Sequence, residues 1–268
     1  MEYKETSPVN YDYDKVLIFI HHTNRLNAVD IEKLTKKEIT VNVSENIDNR
    51  ICMCIIPGNK IFCYGNLLNN GKYTGITFII DSSYRVKQLS RGFPCVSSSA
   101  IYYNGQIYTF GGFNGTCLSL SKRFDLASNR WAQSANNSMK WRACSIAIFL
   151  DQFIIAGFGE TKAFIYDPLL DSFSLLPLET LVKSSIKVNC VANDRAYVID
   201  SLGYVYESDP FNLYSWSQFV NAAMIGTFIF SYPVIYKDSL YFVLDYKLYR
   251  FYFSLKKSRK VLGEVIMD

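Results

Sequence analysis

Only two histidines occur in the 268 residues, and they are adjacent, at His21 and His22. Neighbouring side chains on a strand point to opposite faces, so the pair does not converge on a metal. No Cys-x-x-Cys pair is present, and Gly111-Gly112 is not followed by Gly-Lys-Ser/Thr, which removes the usual zinc and phosphate-loop signatures. Charge of one sign is scarce as well. The 28 Lys and Arg against 24 Asp and Glu leave +4, short of the basic footprint of a nucleic-acid-binding domain. No apolar run reaches the ~20 residues of a membrane helix; the longest weakly polar stretch, Ala222 to Tyr236, contains Pro233. Met1-Glu2-Tyr3-Lys4-Glu5-Thr6 lacks the apolar run of a secretion signal. With an odd number of cysteines, seven, this predicts free thiols in a reducing, cytoplasmic compartment.

What the chain has in abundance is 20 Tyr and 19 Phe, residues that favour pleated, half-buried surfaces. A pattern recurs six times: a polar residue followed by an apolar strand, at Lys15-Val16-Leu17, Lys60-Ile61-Phe62, Gln106-Ile107-Tyr108, Gln152-Phe153-Ile154, Arg195-Ala196-Tyr197 and Ser239-Leu240-Tyr241. The first apolar residues are 45, 46, 46, 43 and 44 positions apart, and a period of this size marks propellers and related arrays. Small and apolar residues precede each pattern, as in Cys52-Met53-Cys54-Ile55-Ile56, Ser97-Ser98-Ser99-Ala100-Ile101, Ala143-Cys144-Ser145-Ile146-Ala147 and Val188-Asn189-Cys190-Val191. Between the two strands stand Gly58-Asn59, Asn104-Gly105, Leu150-Asp151, Asn193-Asp194 and Lys237-Asp238. Asn-Gly between apolar runs signals a two-residue hairpin with positive φ. A third strand ends on an apolar-acidic pair (Val29-Asp30, Ile80-Asp81, Phe124-Asp125, Tyr166-Asp167, Tyr206-Glu207), and a fourth closes the unit. Because the acidic residue recurs with the unit, it is expected to accept backbone N–H groups in the following turn rather than to catalyse.

Such units bury both faces only by radial stacking. The expectation is an all-β, six-bladed β-propeller with four antiparallel strands per blade, one domain over 1–268, and blades near 6–43, 51–90, 95–134, 142–178, 186–220 and 228–266. The inner strand of the first blade is sought within Thr6 to Tyr13, and Val261 to Ile266 completes the last.

The third unit resembles a kelch repeat. It reads Ile101-Tyr102-Tyr103-Asn104-Gly105-Gln106-Ile107-Tyr108-Thr109-Phe110-Gly111-Gly112, then Arg123-Phe124-Asp125 and Asn129-Arg130-Trp131, with seven residues from Phe124 to Trp131. The fourth unit keeps Gly157, Tyr166-Asp167 and Phe173 but has Phe158 for the second glycine. The resemblance implies a non-catalytic recognition module, either standing alone or cut from a larger protein. Catalytic relatives of the galactose-oxidase type hold copper with two His and Tyr ligands, a set that His21 and His22 do not supply; no cofactor is expected.

Binding residues are expected on loops of one propeller face. The candidates are Arg142, Trp141, Arg91, Phe113, Asn114, Phe158 and Tyr73, with Arg142 where kelch propellers often place a ligand-contacting arginine. Trp and Arg are enriched at interface hot spots. The alternative for Trp141 and Phe158 is packing between units. The expected partner is a protein, with an acidic segment or a cytoskeletal protein among the options, and neither nucleic acid nor membrane insertion is expected. A sugar- or metabolite-modifying enzyme working in the propeller mouth is the first rival reading, and a structural role along cytoskeletal filaments is the second. Lys256-Lys257-Ser258-Arg259-Lys260 is read as a solvated outer hairpin.

Overall fold

A computed structural model describes residues 16–22, 24–68, 70–157, 160–178, 180–221, 233–244, 247–255 and 257–262. These form six antiparallel sheets and no helix. Blade 1 shows β1 (Val16–His22), β2 (Arg25–Asp30) and β3 (Thr35–Thr40). Blade 2 has β4 (Cys52–Ile56), β5 (Lys60–Leu67), β6 (Tyr73–Ile80) and β7 (Val86–Gln88). Blade 3 has β8 (Ser99–Tyr103), β9 (Gln106–Phe110), β10 (Ser121–Asp125) and β11 (Arg130–Gln133). Blade 4 has β12 (Cys144–Phe149), β13 (Gln152–Gly157), β14 (Ala163–Asp167) and β15 (Ser172–Leu176). Blade 5 has β16 (Ile186–Ala192), β17 (Arg195–Asp200), β18 (Tyr204–Ser208) and β19 (Trp216–Asn221). Blade 6 has β20 (Val234–Ile235), β21 (Ser239–Leu244), β22 (Lys247–Tyr252) and β23 (Lys257–Leu262). Strands follow one another in order within every sheet, so each blade is an up-and-down meander of a β-propeller. Blade 1 contributes strands equivalent to the second, third and fourth of the other blades. Its expected inner strand at Thr6 to Tyr13 lies outside the described residues, as do residues 263–266.

The two-residue hairpins follow from left-handed backbone at both central residues. Asn104 and Gly105 have φ of 48° and 82°, Leu150 and Asp151 51° and 59°, and Asn193 and Asp194 48° and 55°. This twist matches that of the flanking strands. The inner strand of blade 3 starts later than its small residues suggest: Ser97, at φ 53°, turns the chain, and pairing begins at Ser99.

The core lies between blades, not within them. Along β13, Phe153 and Ile155 face Tyr108 and Phe110 of blade 3, whereas Ile154 and Ala156 face Ala196 and Val198 of blade 5. A period of two on a sheet buried on both sides produces these unbroken apolar runs. The kelch-type spacing has a direct geometric meaning. Phe124 pairs with Trp131 across β10 and β11, and Tyr166 with Phe173 across β14 and β15. Trp131 then packs at a tilt against Tyr64 of blade 2, the ring centroids 4.6 Å apart, and donates Nε1–H to the Ser90 carbonyl at 2.9 Å, stitching two blades together. The last and first blades meet where the Tyr236 hydroxyl donates to Glu32 at 2.5 Å.

The recurring carboxylates close turns. Asp30 Oδ1 accepts the Glu32 and Lys33 amides, both at 2.9 Å; Asp167 Oδ1 accepts those of Leu169 and Leu170 at 2.9 and 3.0 Å. Asp81 and Asp125 do likewise. In blade 5 the role passes from Glu207 to Asp209, whose Oδ1 accepts the Phe211 amide at 2.8 Å. The glutamate faces Ser217 on the neighbouring strand instead.

Candidate functional site

One end of the propeller, here the upper face, carries the connections between second and third strands and those that lead from one blade into the next. Its most developed part spans blades 2 to 4. In blade 2, β5 and β6 run out to a short turn, and Tyr73 opens β6. In blade 3, Gly111 and Gly112 (φ 66° and 119°) let the chain leave β9 toward Phe113. A Cβ on Gly111 would stand 2.7 Å from the Trp141 carbonyl oxygen, so only glycine permits this approach.

Backbone bonds fix the loop to the next blade. Gly112 N–H donates to the Trp141 carbonyl at 2.8 Å, and Trp141 N–H donates to that of Leu118 at 2.9 Å. This places three of the expected residues in a row. The Tyr73 and Phe113 rings meet edge to face with centroids 6.1 Å apart. The Arg142 guanidinium lies over the same Phe113 ring, 5.0 Å from its centroid. Arg142 is exposed, and no carboxylate pairs with it among the described residues.

The remaining candidates divide. Trp141 is not a surface contact. It is 3 % exposed, with Phe164 5.6 Å from its ring and Gly157 packed beneath the indole. The bulk of an indole beside two glycines explains this, and Trp141 serves the face by anchoring Arg142. Arg91 stands at the outer rim, 2.5 Å from Glu45. Asn114 turns within its own loop, its N–H donating to the Thr116 carbonyl at 3.2 Å. Phe158 lies outside the described residues, and so do the side chains of His21 and His22.

Sequence reasoning missed Arg50, which precedes its inner strand by two residues as Arg142 does; that shared offset was the available signal. Arg50 forks onto Asp48 at 2.6 and 2.9 Å, and this pairing holds its guanidinium above the usual range. Burial opposes charge on Glu45, but hydrogen bonds from Arg91 and Thr74 hold its carboxyl below the ordinary carboxylate range. Buried Asn66 braces the same loop, donating to the Asn46 carbonyl at 2.7 Å and accepting from the Asp48 amide at 2.9 Å. Two arginines of this face are thus paired, and Arg142 is left open to a ligand.

On the axis lies a cavity of 330 Å³, walled by inner-strand side chains such as Ile55, Ile101, Ile146, Val191 and Ile235. Asn189 also lines it, but its amide is spent on the Ser145 and Ile154 carbonyls at 3.1 and 2.9 Å and on the Ser145 hydroxyl at 2.7 Å. Cys52 and Cys54 are buried in the core between blades 2 and 3. No group of three His, Cys, Asp or Glu side chains is arranged to hold a metal among the described residues, and no helix there is long and apolar enough to cross a membrane.

Residues 94–138 match the family model of the kelch motif, so the propeller carries a kelch motif in blade 3. No curated protein matches the chain. Kelch propellers are commonly protein-interaction modules.

Proposed function

We propose that the protein is a non-catalytic interaction scaffold that holds a partner protein or peptide against the upper face of blades 2 to 4. The row Tyr73–Phe113–Arg142 carries the proposal: two half-buried aromatic rings beside an exposed, unpaired guanidinium, held by backbone bonds on a rigid sheet scaffold. Aromatic and arginine side chains are the usual anchors of protein interfaces. A guanidinium without a carboxylate of its own favours an acidic segment, on which it can fork. Asn114, next to Phe113 in the chain, and Arg91 complete the proposed contact set. Seven free thiols suit a reducing compartment, and the cytoplasm is the proposed location.

The test is affinity capture from native extract with wild type, Arg142→Ala and Phe113→Ala, retained proteins being identified by mass spectrometry. A partner captured by wild type and lost with both variants, while both unfold at the wild-type temperature, supports the reading. Equal capture by all three overturns it.

A further inference from the structure

The opposite, lower face carries the hairpins within each blade, and the repeat lets the blades be compared there; the blade 1 and blade 6 turns each expose one leucine, Leu34 (38 %) and Leu255 (61 %). The turn after the third strand holds Glu32 and Lys33 in blade 1, Ser82 and Ser83 in blade 2, and Ala127 and Ser128 in blade 3. In blade 4 the same turn holds Leu169 and Leu170, 91 % and 71 % exposed. In blade 5 the corresponding loop displays Phe211 and Tyr214, 89 % and 54 % exposed. Single exposed leucines are ordinary, but large apolar side chains gathered on adjoining turns mark an interaction surface.

These side chains are held out, not loosely placed. Asp167 locks the Leu169–Leu170 turn through two amides. In blade 5, Asp209 and Asn212 accept the Phe211 and Tyr214 amides at 2.8 and 3.0 Å. The loop is anchored by buried Leu213, which belongs to the hydrophobic core shared by blades 4 and 5. Its carbonyl also accepts Trp216 Nε1–H at 2.6 Å. Tyr214 reaches across to blade 4, its hydroxyl 3.5 Å from that of Ser174, so the blade 5 loop borders the strand that leads out of the Leu169–Leu170 turn.

Charge selects the occupant. Exposed Asp151, Asp194 and Asp209 stand on the lower-face turns of these two blades. Arg195, the nearby cation in sequence, has its guanidinium turned onto the Ser208 carbonyl at 2.8 Å. We propose that the lower face of blades 4 and 5 is a second docking surface, for a partner-protein segment combining apolar side chains with Lys or Arg. It is separate from the upper face and opposite to it in chemical preference.

A random-peptide display library panned on the purified wild-type chain, with counter-selection on Leu169→Ser/Leu170→Ser/Phe211→Ser, tests this. The recovered peptides should pair Lys or Arg with Leu, Phe or Trp. Their affinity should fall by about tenfold or more in the triple variant and weaken in about 0.5 M salt. Asp151→Asn/Asp194→Asn/Asp209→Asn should also weaken them, while Arg142→Ala leaves them unchanged. An empty selection, acidic peptides, or peptides that bind the triple variant equally well overturn the proposal. So does a wild-type dimer in sedimentation that the triple variant dissolves, since the occupant is then a second copy of the chain.

Discussion

The Arg142 guanidinium lies 5.0 Å from the centroid of the Phe113 ring, joining the approach to blade 4 with a loop of blade 3. An exposed cation–π contact contributes only about 0.5–1 kcal/mol, so its main effect is orientation. Phe113→Ala should weaken partner binding several-fold, with an effect no larger than that of Arg142→Ala. Neither substitution should move the unfolding temperature, since neither side chain is buried. Isothermal titration with the captured partner, beside thermal unfolding, checks both halves.

Gly111 and Gly105 both have positive φ, 66° and 82°, but a Cβ at Gly105 meets open space whereas one at Gly111 meets the Trp141 carbonyl oxygen at 2.7 Å. Gly105→Ala should cost about 1–2 kcal/mol for the backbone alone. Gly111→Ala should cost roughly 2–4 kcal/mol, because strand and loop must also shift. It should reduce partner binding as well, by displacing the segment before Arg142. Urea denaturation of the two variants separates them.

Trp131 ties blade 3 to blade 2 through Tyr64 and the Ser90 carbonyl. Trp131→Ala should destabilise the propeller by roughly 3 kcal/mol, as expected for removal of a packed indole. Trp131→Phe should recover part of that, since the tilted ring packing returns and the hydrogen bond does not. A calorimetric series of the three proteins reads the difference.

Much of this architecture was legible because the repeat imposes it. The spacing that separates Ile61, Ile107 and Phe153 is the spacing of equivalent strands, and Asn104-Gly105 stated its turn outright. The alternation along β13 was harder to read: both its faces are buried, so no polar residue marks the pleat. The candidate row was legible at Tyr73, Phe113 and Arg142 because their loops could be placed on one end of the blades. Trp141 reads like its neighbour in sequence, yet only the close approach of Gly111 and Gly157 buries it. Arg50 hid because its pairing with Asp48 belongs to a loop without a repeating motif.

The turn carboxylates give the fold a signed response to acid. The Leu170 amide on Asp167 and the Ser128 amide on Asp125 hold these carboxyls below their ordinary value. A group with a depressed folded pKa contributes stability that is present above its unfolded value, about 3.9, and lost as pH falls through the folded value. Asp125→Asn/Asp167→Asn should therefore lower the urea midpoint at neutral pH and flatten its dependence below about pH 4. An unchanged acid limb would contradict the assignment.

The thiols should separate by burial. Burial pushes Cys54, Cys63 and Cys190 well up from the ordinary thiol range, whereas Cys117 is exposed on the blade 3 loop. A thiol-specific reagent should modify Cys117 first in the native protein and reach the buried cysteines only on unfolding. Peptide mapping after brief labelling identifies the site. Protection of Cys117 on partner binding would follow from its place in the Phe113 loop.

Site-specific photocrosslinking tests the central claim most directly. A photoreactive phenylalanine analogue replaces Phe113 in one sample and Gln218, on the outer strand of blade 5, in another, and both are illuminated in native extract. The upper-face reading predicts a discrete protein adduct from position 113 that position 218 does not form and that Arg142→Ala removes. No adduct at 113, or the same adducts from both positions, would contradict it.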